Sequence, residues 1–177
     1  MFSNFHNKTR VLIFSKNAVL APFFLHILNF HGKDFNFISS ENLSEIPQED
    51  FVIFAASTPN FFENFKPNIA LVSSDIPQEE LDLLGNQMTS GGVFILPENL
   101  NAENERQSTF FRKLEFAQTE IKNEGVNFSF KTSMGFLPFP NNDKFLAENL
   151  EGLKLLAQQF GIMEEEFYEA VMEFNPS

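Results

Sequence analysis

The chain has 177 residues, which is the size of one domain and enough to bury a full hydrophobic core. It carries 12 basic and 24 acidic residues, a formal net charge of −12, which argues against nucleic acid or an anionic membrane as a partner because both require clustered lysine and arginine. There is no cysteine, so disulfides and thiolate chemistry are excluded, and the absence of a signal-peptide pattern or a long apolar run predicts a cytoplasmic protein.

The segment from Arg10 to Ile38 predicts a strand, a loop, a helix and a second strand. Val11 to Phe14 form a short apolar run, and the apolar residues that follow have helical spacing. Pro22 is tolerated only near the start of that helix, and Gly32 is typical of a residue that follows a helix end. This order predicts a right-handed crossover between parallel strands.

The loop between the first strand and its helix contains the candidate site residues Ser15, Lys16 and Asn17. The amino terminus of a helix offers free N–H groups, and nucleotide-binding folds place phosphate there. A Walker loop also needs glycines and a Lys followed by Ser or Thr, and this loop has neither. The three residues therefore either form a solvated turn or hold an anion at the helix start.

Three further apolar runs predict buried strands of a parallel sheet: Phe51 to Ala55, Asn68 to Ser73 and Gly91 to Leu96. Gln78 to Met88 predicts a helix between the second and third of these runs. Such alternation predicts an α/β fold, with a mostly parallel sheet and helices on both faces.

The next part of the chain changes pattern. Glu103 to Asn123 predicts an amphipathic helix that ends at Gly125. One face of that helix would carry Phe110, Leu114, Ala117 and Ile121. Residues 126–139 alternate between apolar and polar side chains, which predicts a small antiparallel hairpin. Pro138 and Pro140 would keep its second strand at an edge or end it.

The last part predicts a C-terminal helix pair. Asp143 would cap a helix that continues to Phe160 and ends at Gly161, and Glu164 to Glu173 would form a second, shorter helix. The 25 phenylalanines, with one tyrosine and no tryptophan, predict a phenylalanine-packed core; some could instead form a surface that contacts a partner.

Four segments together carry a resemblance to a known family. They are Leu25 to Lys33 (LHILNFHGK), Phe65 to Ser73 (FKPNIALVS), Gly91 to Asn99 (GGVFILPEN) and Phe145 to Phe174. In this order the chain resembles the central, ATP-binding domain of the Mur ligases, the ATP-dependent amino-acid and peptide ligases of peptidoglycan synthesis. It is most similar to the ligases that recycle murein peptide. The resemblance implies one P-loop-like domain over residues 1–177, with the flanking Mur domains absent.

The chain departs from the family at the positions to which the resemblance assigns chemistry. The loop lacks the Gly-Lys-Thr of the family, and the acidic magnesium ligand would fall within Ala55 to Ser57. The family's histidine after the next strand has no counterpart in Ser73 to Pro77. Of the residues near the adenine, Phe145 and Leu146 replace a His-Asn pair and only Asn149 remains.

These departures predict a non-catalytic protein, with no catalytic residue, no metal ligand and no cofactor, that binds a protein partner or a second copy of itself. The alternative is a residual ligase or ATPase of the UDP-N-acetylmuramate-peptide ligase type, with ATP and Mg²⁺ as cofactors. Ser15, Lys16, Asn17 and Asn149 are then the candidate nucleotide-binding residues.

Histidines and carboxylates offer no further site. His6, His26 and His31 lack a second ligand cluster and are predicted to lie at the surface or at helix ends. Asp75 and Asp143 would be catalytic only if the fold brought them together.

Overall fold

A six-stranded parallel sheet lies at the centre of the computed structural model, which describes residues 3–39, 46–61, 64–101 and 110–174. Its strand order is β2-β3-β1-β4-β5-β6. The strands are β1 (Thr9–Phe14), β2 (Asn36–Ile38), β3 (Phe51–Ala56), β4 (Ile69–Val72), β5 (Gly92–Pro97) and β6 (Phe111–Phe116). The α-helices of the described residues are α1 (Leu20–Phe30), α2 (Gln78–Gly85), α3 (Lys144–Glu148), α4 (Leu150–Gln158) and α5 (Glu164–Met172).

The register of the central strands aligns their carboxyl ends. Phe14, the last residue of β1, lies opposite Ala56 of β3 and Val72 of β4. The loops that follow these three strands therefore meet at one edge of the sheet. In open parallel sheets this edge is where ligands bind.

Helix α1 begins and ends as the sequence predicts. Pro22 lies in its first turn, where the missing N–H costs no hydrogen bond. After the helix, Gly32 adopts a positive φ of 62°, and the N–H of Lys33 donates to the carbonyl of Leu28 at 2.9 Å. A residue with a side chain would be strained at Gly32, so this glycine ends the helix.

The two faces of the sheet bury separate apolar clusters. Val11 and Ile13 of β1 pack on the side covered by α1, α4 and α5, whereas Leu12 and Phe14 pack on the side covered by α2. The predicted α/β architecture with helices on both faces is therefore confirmed. Many phenylalanines are fully buried, among them Phe5, Phe14, Phe23, Phe24, Phe54, Phe65, Phe94, Phe130, Phe139 and Phe167.

The helix predicted over Glu103 to Asn123 is wrong for the residues that the structure describes there; residues 102–109 lie outside them. Phe111–Phe116 instead form β6, which pairs in parallel with the whole of β5. Leu114 and Phe116 lie on the same face of this strand. Phe111 lies on the other face and packs against Phe94. The apolar residues have helical spacing, but the segment forms a strand because it can pair with the free edge of β5.

The predicted hairpin is confirmed, and it belongs to a three-stranded antiparallel sheet. Its strands are β7 (Ile121–Glu124), β8 (Asn127–Thr132) and β9 (Gly135–Pro138), in the order β7-β8-β9. The helix predicted over Glu103 to Asn123 overlaps β7, so it is wrong for Ile121 to Asn123 as well. Strand β9, which contains Pro138, lies at an edge as expected.

The helix predicted from Asp143 to Phe160 is two helices. Asp143 caps α3 through the N–H of Leu146 at 2.9 Å, as predicted, but the helix breaks at Asn149 before α4 begins. Asn149 lies between the two helices, and its side chain bonds both to Ser74 and to the carbonyl of Phe145 in α3. The predicted helix from Glu164 is confirmed as α5. No helix in the described part of the chain is both long and apolar enough to cross a bilayer.

Candidate functional site

The loop from Ser15 to Val19 joins β1 to α1 at the carboxyl edge of the sheet. Ser15 is buried, and its N–H continues the ladder by donating to the carbonyl of Ala56 at 3.1 Å. Lys16 and Asn17 are exposed. The three candidate residues therefore lie in the loop before α1, which the order of strand, loop and helix predicts.

The carboxylate of Asp75 accepts hydrogen bonds from this loop. Its Oδ1 lies 3.2 Å from the backbone nitrogen of Lys16, and its Oδ2 lies 3.0 Å from the backbone nitrogen of Asn17. The hydroxyl of Ser73 also donates to Oδ1. Two consecutive amides that converge on one anion form the arrangement that holds phosphate in nucleotide-binding loops. Here the chain's own carboxylate occupies that position.

The side chains of Ser15 and Asn17 accept hydrogen bonds from backbone N–H groups of the loop itself. Ser15 Oγ accepts the N–H of Asn17 at 3.2 Å, and Asn17 Oδ1 accepts the N–H of Val19 at 3.0 Å. Such short-range bonds to Ser and Asn side chains stabilise a turn without glycine. They explain how the loop adopts a defined shape although the family's glycines are missing.

The ammonium of Lys16 bonds to groups of two neighbouring elements. Its Nζ lies 2.5 Å from Glu80 Oε2 in the first turn of α2 and 2.9 Å from the carbonyl oxygen of Ser57, which follows β3. The ammonium also lies 5.7 Å from the centre of the Phe14 ring. The one lysine of the loop is therefore paired with a carboxylate.

Asn149 extends the same network. Its Oδ1 accepts the N–H of Ser74 at 3.0 Å, and its Nδ2 donates to Ser74 Oγ at 3.1 Å and to the carbonyl of Phe145 at 2.9 Å. Ser74 and Asp75 are neighbours in the chain, so the hydrogen bonds of Asn149 and those of the loop reach the same segment at the carboxyl edge. Asn149 is buried there, and its bonds join the start of α4 to the loop after β4.

A pocket of about 370 Å³ opens beside the loop, between α1 and the ends of β2 and β3. Its polar rim consists of Ser15, Lys16, Asn17 and Ser57. Its walls are apolar: Ile13, Ala21, Pro22, Phe37, Ala55 and Ala56.

The nucleotide and Mg²⁺ that the resemblance implies do not fit these residues. The loop amides already face a carboxylate, and Ala55 to Ser57 supply no carboxylate for an ion after β3. Among the described residues, no group of three or more His, Asp and Glu side chains is placed to hold a metal. Asp143 caps α3 and Asp75 binds the loop, so each carboxylate has a structural partner.

The two helical histidines lie against α5. Nε2 of His26 lies 2.9 Å from the carbonyl oxygen of Ala170, and Nε2 of His31 lies 2.7 Å from that of Glu166. These contacts join α1 and its C-terminal end to α5. His31 lies at the helix end, in agreement with the predicted surface or helix-end position, whereas His26 lies in the middle of α1 and is half-buried.

Sequence reasoning missed a second polar cluster, which we call the Lys154 cluster and which consists of Ser133, Glu151, Lys154, Glu164 and Tyr168. Nζ of Lys154 lies 2.9 Å from Glu151 Oε2, 3.2 Å from Tyr168 Oη and 3.9 Å from Glu164 Oε1. Ser133 Oγ donates to Glu164 Oε1 at 2.6 Å. The cluster joins α4, α5 and the turn between β8 and β9.

The cluster favours its charged lysine. Burial lowers the pKa of Lys154, but hydrogen bonds and charge interactions with Glu151 and Tyr168 outweigh burial, so that the pKa is raised. Burial raises the pKa of Tyr168. The hydrogen bond from Ser133, together with the charge of Lys154, lowers the pKa of Glu164. A lysine held in its charged form connects structural elements and does not act as a base or nucleophile at neutral pH.

Comparisons with known proteins identify the fold. No protein-family model matches the sequence, and no curated protein matches it. Among solved structures, MurF from Acinetobacter baumannii matches with a TM-score of 0.68 over 97% of this chain, at 10% sequence identity. The chain has the Mur ligase fold.

Other Mur ligase structures give the same result. The UDP-N-acetylmuramate:L-alanyl-gamma-D-glutamyl-meso-diaminopimelate ligase from Neisseria meningitides matches with a TM-score of 0.66 and 13% identity over 97% of this chain and 68% of its own. MurF from Thermotoga maritima, solved with ADP, matches with a TM-score of 0.62 and 10% identity, over 97% of this chain and 49% of its own.

The resemblance predicted from the sequence is confirmed at the level of the fold. The chain spans about half the length of the MurF structures, 47% of the Acinetobacter baumannii protein. At such low identity the match establishes the Mur ligase fold and leaves the activity to be argued from the site.

Proposed function

We propose that the chain is a non-catalytic protein with the Mur ligase fold that acts in the cytoplasm as a binding module linked to peptidoglycan metabolism. The observation that carries the proposal is the Asp75 carboxylate, which accepts the two loop amides of Lys16 and Asn17. The position of a bound phosphate is then already taken by a negative charge.

The electrostatics of the loop support this proposal. A phosphate at the two amides would lie against the Asp75 carboxylate, and like charges at such separations repel strongly. Lys16 does not offset this repulsion, because its ammonium is paired with Glu80. Transfer of a phosphoryl group requires a positive cradle and Mg²⁺ to stabilise the developing charge. Neither is provided by the loop or by the segment after β3.

The partner that we propose is a protein or a second copy of the chain. Apolar side chains are exposed on the small sheet and next to β6, where they offer surface for such contacts; they are Phe110, Val126, Met134 and Phe136. Exposed apolar side chains in this number are compatible with a protein that acts by association. Sedimentation velocity across a range of concentrations tests the self-association part of the proposal.

Calorimetric titration tests the loss of the nucleotide site. We expect no binding heat with Mg-ATP, ADP or a UDP-sugar for the natural protein. Asp75→Asn is the matched variant, since it removes the negative charge and keeps the shape of the side chain. Any weak affinity for phosphate that the loop retains should appear in this variant first.

The alternative is a residual nucleotide-binding ligase or ATPase of the UDP-N-acetylmuramate-peptide ligase type, with ATP and Mg²⁺. The observation that favours it is the pocket beside the loop, which lies where the fold places ligands. Micromolar binding of Mg-ATP by the natural protein, weakened by Lys16→Ala, would establish this alternative and overturn the proposal.

A further inference from the structure

The pocket beside the loop has a composition unlike that of a phosphate site. Ile13, Phe37 and the small side chains of Ala21, Ala55 and Ala56 form its walls. The three alanines leave space that larger side chains would fill. At about 370 Å³ the pocket lies within the size range of small-molecule sites, which are mostly apolar with a few polar groups at fixed positions.

The charges around the rim disfavour an anion. The amides of Lys16 and Asn17 are bonded to Asp75, and the ammonium of Lys16 is bonded to Glu80 and to the carbonyl of Ser57. Two carboxylates therefore lie behind a rim that has one paired cation. An anionic ligand would gain no cation and would meet this negative charge.

The polar groups left to a ligand are neutral. Asn17 and Ser57 line the rim, and their side chains carry a carboxamide, whose oxygen already accepts the N–H of Val19, and a hydroxyl. Both groups can bond to a hydroxyl or an amide of a ligand. Their position above apolar walls suits a molecule with an apolar body and one polar end.

We propose that this pocket binds an uncharged small molecule that consists of an apolar body, at least as large as one aromatic ring, and a hydroxyl or amide end. The inference rests on the proposed function, because it requires that the loop holds no phosphate. It names the chemical class of ligand that the binding module takes at its carboxyl edge.

Benzyl alcohol and phenyl phosphate are matched probes, since both carry one aromatic ring and only the second is charged. We expect benzyl alcohol to shift the methyl resonances of Ile13, Ala21 and Ala55 in a saturable manner. Phenyl phosphate should bind at least about tenfold more weakly, because its charge is repelled at the rim.

Two variants locate the binding site. Ala55→Leu fills the pocket and should abolish the shifts, and Ser57→Leu at the rim should weaken them if the first variant fails to fold. Ala117→Leu makes the same change as Ala55→Leu at an exposed position outside the pocket, and it should leave binding unchanged.

The outcomes separate the inference from the proposed function. If benzyl alcohol causes no saturable shift, or if it binds equally well to folded Ala55→Leu or Ser57→Leu, the inference fails and the proposed function stands. Equal or tighter binding of phenyl phosphate also overturns the inference. Binding of Mg-ATP overturns the proposed function and the inference together.

Discussion

Two lysines of this protein have the same kind of partner and different surroundings. Lys16 pairs with Glu80 at the mouth of the pocket, where 36% of its side chain is exposed. Lys154 pairs with Glu151 inside the Lys154 cluster, where 14% of its side chain is exposed. The first lysine lies where the fold places ligands, and the second lies between α4, α5 and the small sheet.

The contrast shows two uses of a paired charge. In the Lys154 cluster the lysine is itself largely buried, and it donates to the hydroxyl of Tyr168, which is buried as well. At the carboxyl edge, Glu80 and Asp75 provide negative charge to a loop that solvent can reach. We therefore expect loss of the lysine charge to reduce stability in the Lys154 cluster and to alter mainly binding at the carboxyl edge.

Lys154→Met should cause the largest loss. The substitution keeps a similar length and leaves Glu151, Glu164 and Tyr168 without their shared partner, so we expect the free energy of unfolding to fall by about 2 to 3 kcal/mol. Urea denaturation measures this. Lys131→Met is the control, because the Lys131–Glu120 pair is largely exposed and its loss should change stability by less than about 0.5 kcal/mol. If the two variants were equally stable, Lys154 would contribute no more to stability than an exposed lysine, contrary to the expectation.

Asn149→Ala should cause the next largest loss. Its side chain makes three hydrogen bonds: two join the start of α4 to Ser74, and the third goes to the carbonyl of Phe145 in α3. We expect the free energy of unfolding to fall by about 1 to 2 kcal/mol. Asn142→Ala, at an exposed asparagine before α3, is the control in the same urea titration. A neutral result at Asn149 would instead favour a role in contact with a ligand.

Much of the fold could be predicted from the sequence because its central strands are buried on both faces. Phe51 to Ala55 is a continuous apolar run, which distinguishes a buried parallel strand from an amphipathic one. β6 lacks this signal. Leu114 fits both the helical spacing that begins at Phe110 and the alternation with Phe116. The segment forms a strand and not a helix because it pairs with the free edge of β5, and this edge is a tertiary feature that the local sequence does not show.

The position of the candidate site could be predicted from the sequence, but the hydrogen-bond partners of its residues could not. The order of strand, loop and helix places Ser15, Lys16 and Asn17 at a helix start from local sequence alone. Their partners come from elsewhere: Asp75 and Glu80 lie about 60 residues further along the chain. One signal was available, since Asp75 follows the end of a strand next to β1. A single sequence gives no distance between two loops, so the contact could not be predicted.

The acid side of the stability profile should depend on Glu164. Its pKa is lowered below the ordinary 4.5 by the hydrogen bond from Ser133 and by Lys154. A carboxylate with a lowered folded-state pKa contributes stability above its unfolded pKa and loses it as the pH falls through the folded value. We therefore expect Glu164→Gln to flatten the fall in the urea midpoint below about pH 4.5. Glu165→Gln, at an exposed neighbour, should keep the full slope.

Lys16→Met should have the smallest effect on stability. The Lys16–Glu80 pair is short, but it is partly exposed and joins a loop to the first turn of α2, so its loss should change the free energy of unfolding by less than about 0.5 kcal/mol. Glu80 would then be unpaired, but it lies in the first turn of α2, where the helix dipole favours a negative charge. Urea denaturation of Lys16→Met and Lys154→Met side by side makes the comparison direct. If Lys16→Met lowered the free energy of unfolding as much as Lys154→Met, the Lys16–Glu80 pair would also stabilise the fold. The proposed difference between the two regions would then be wrong.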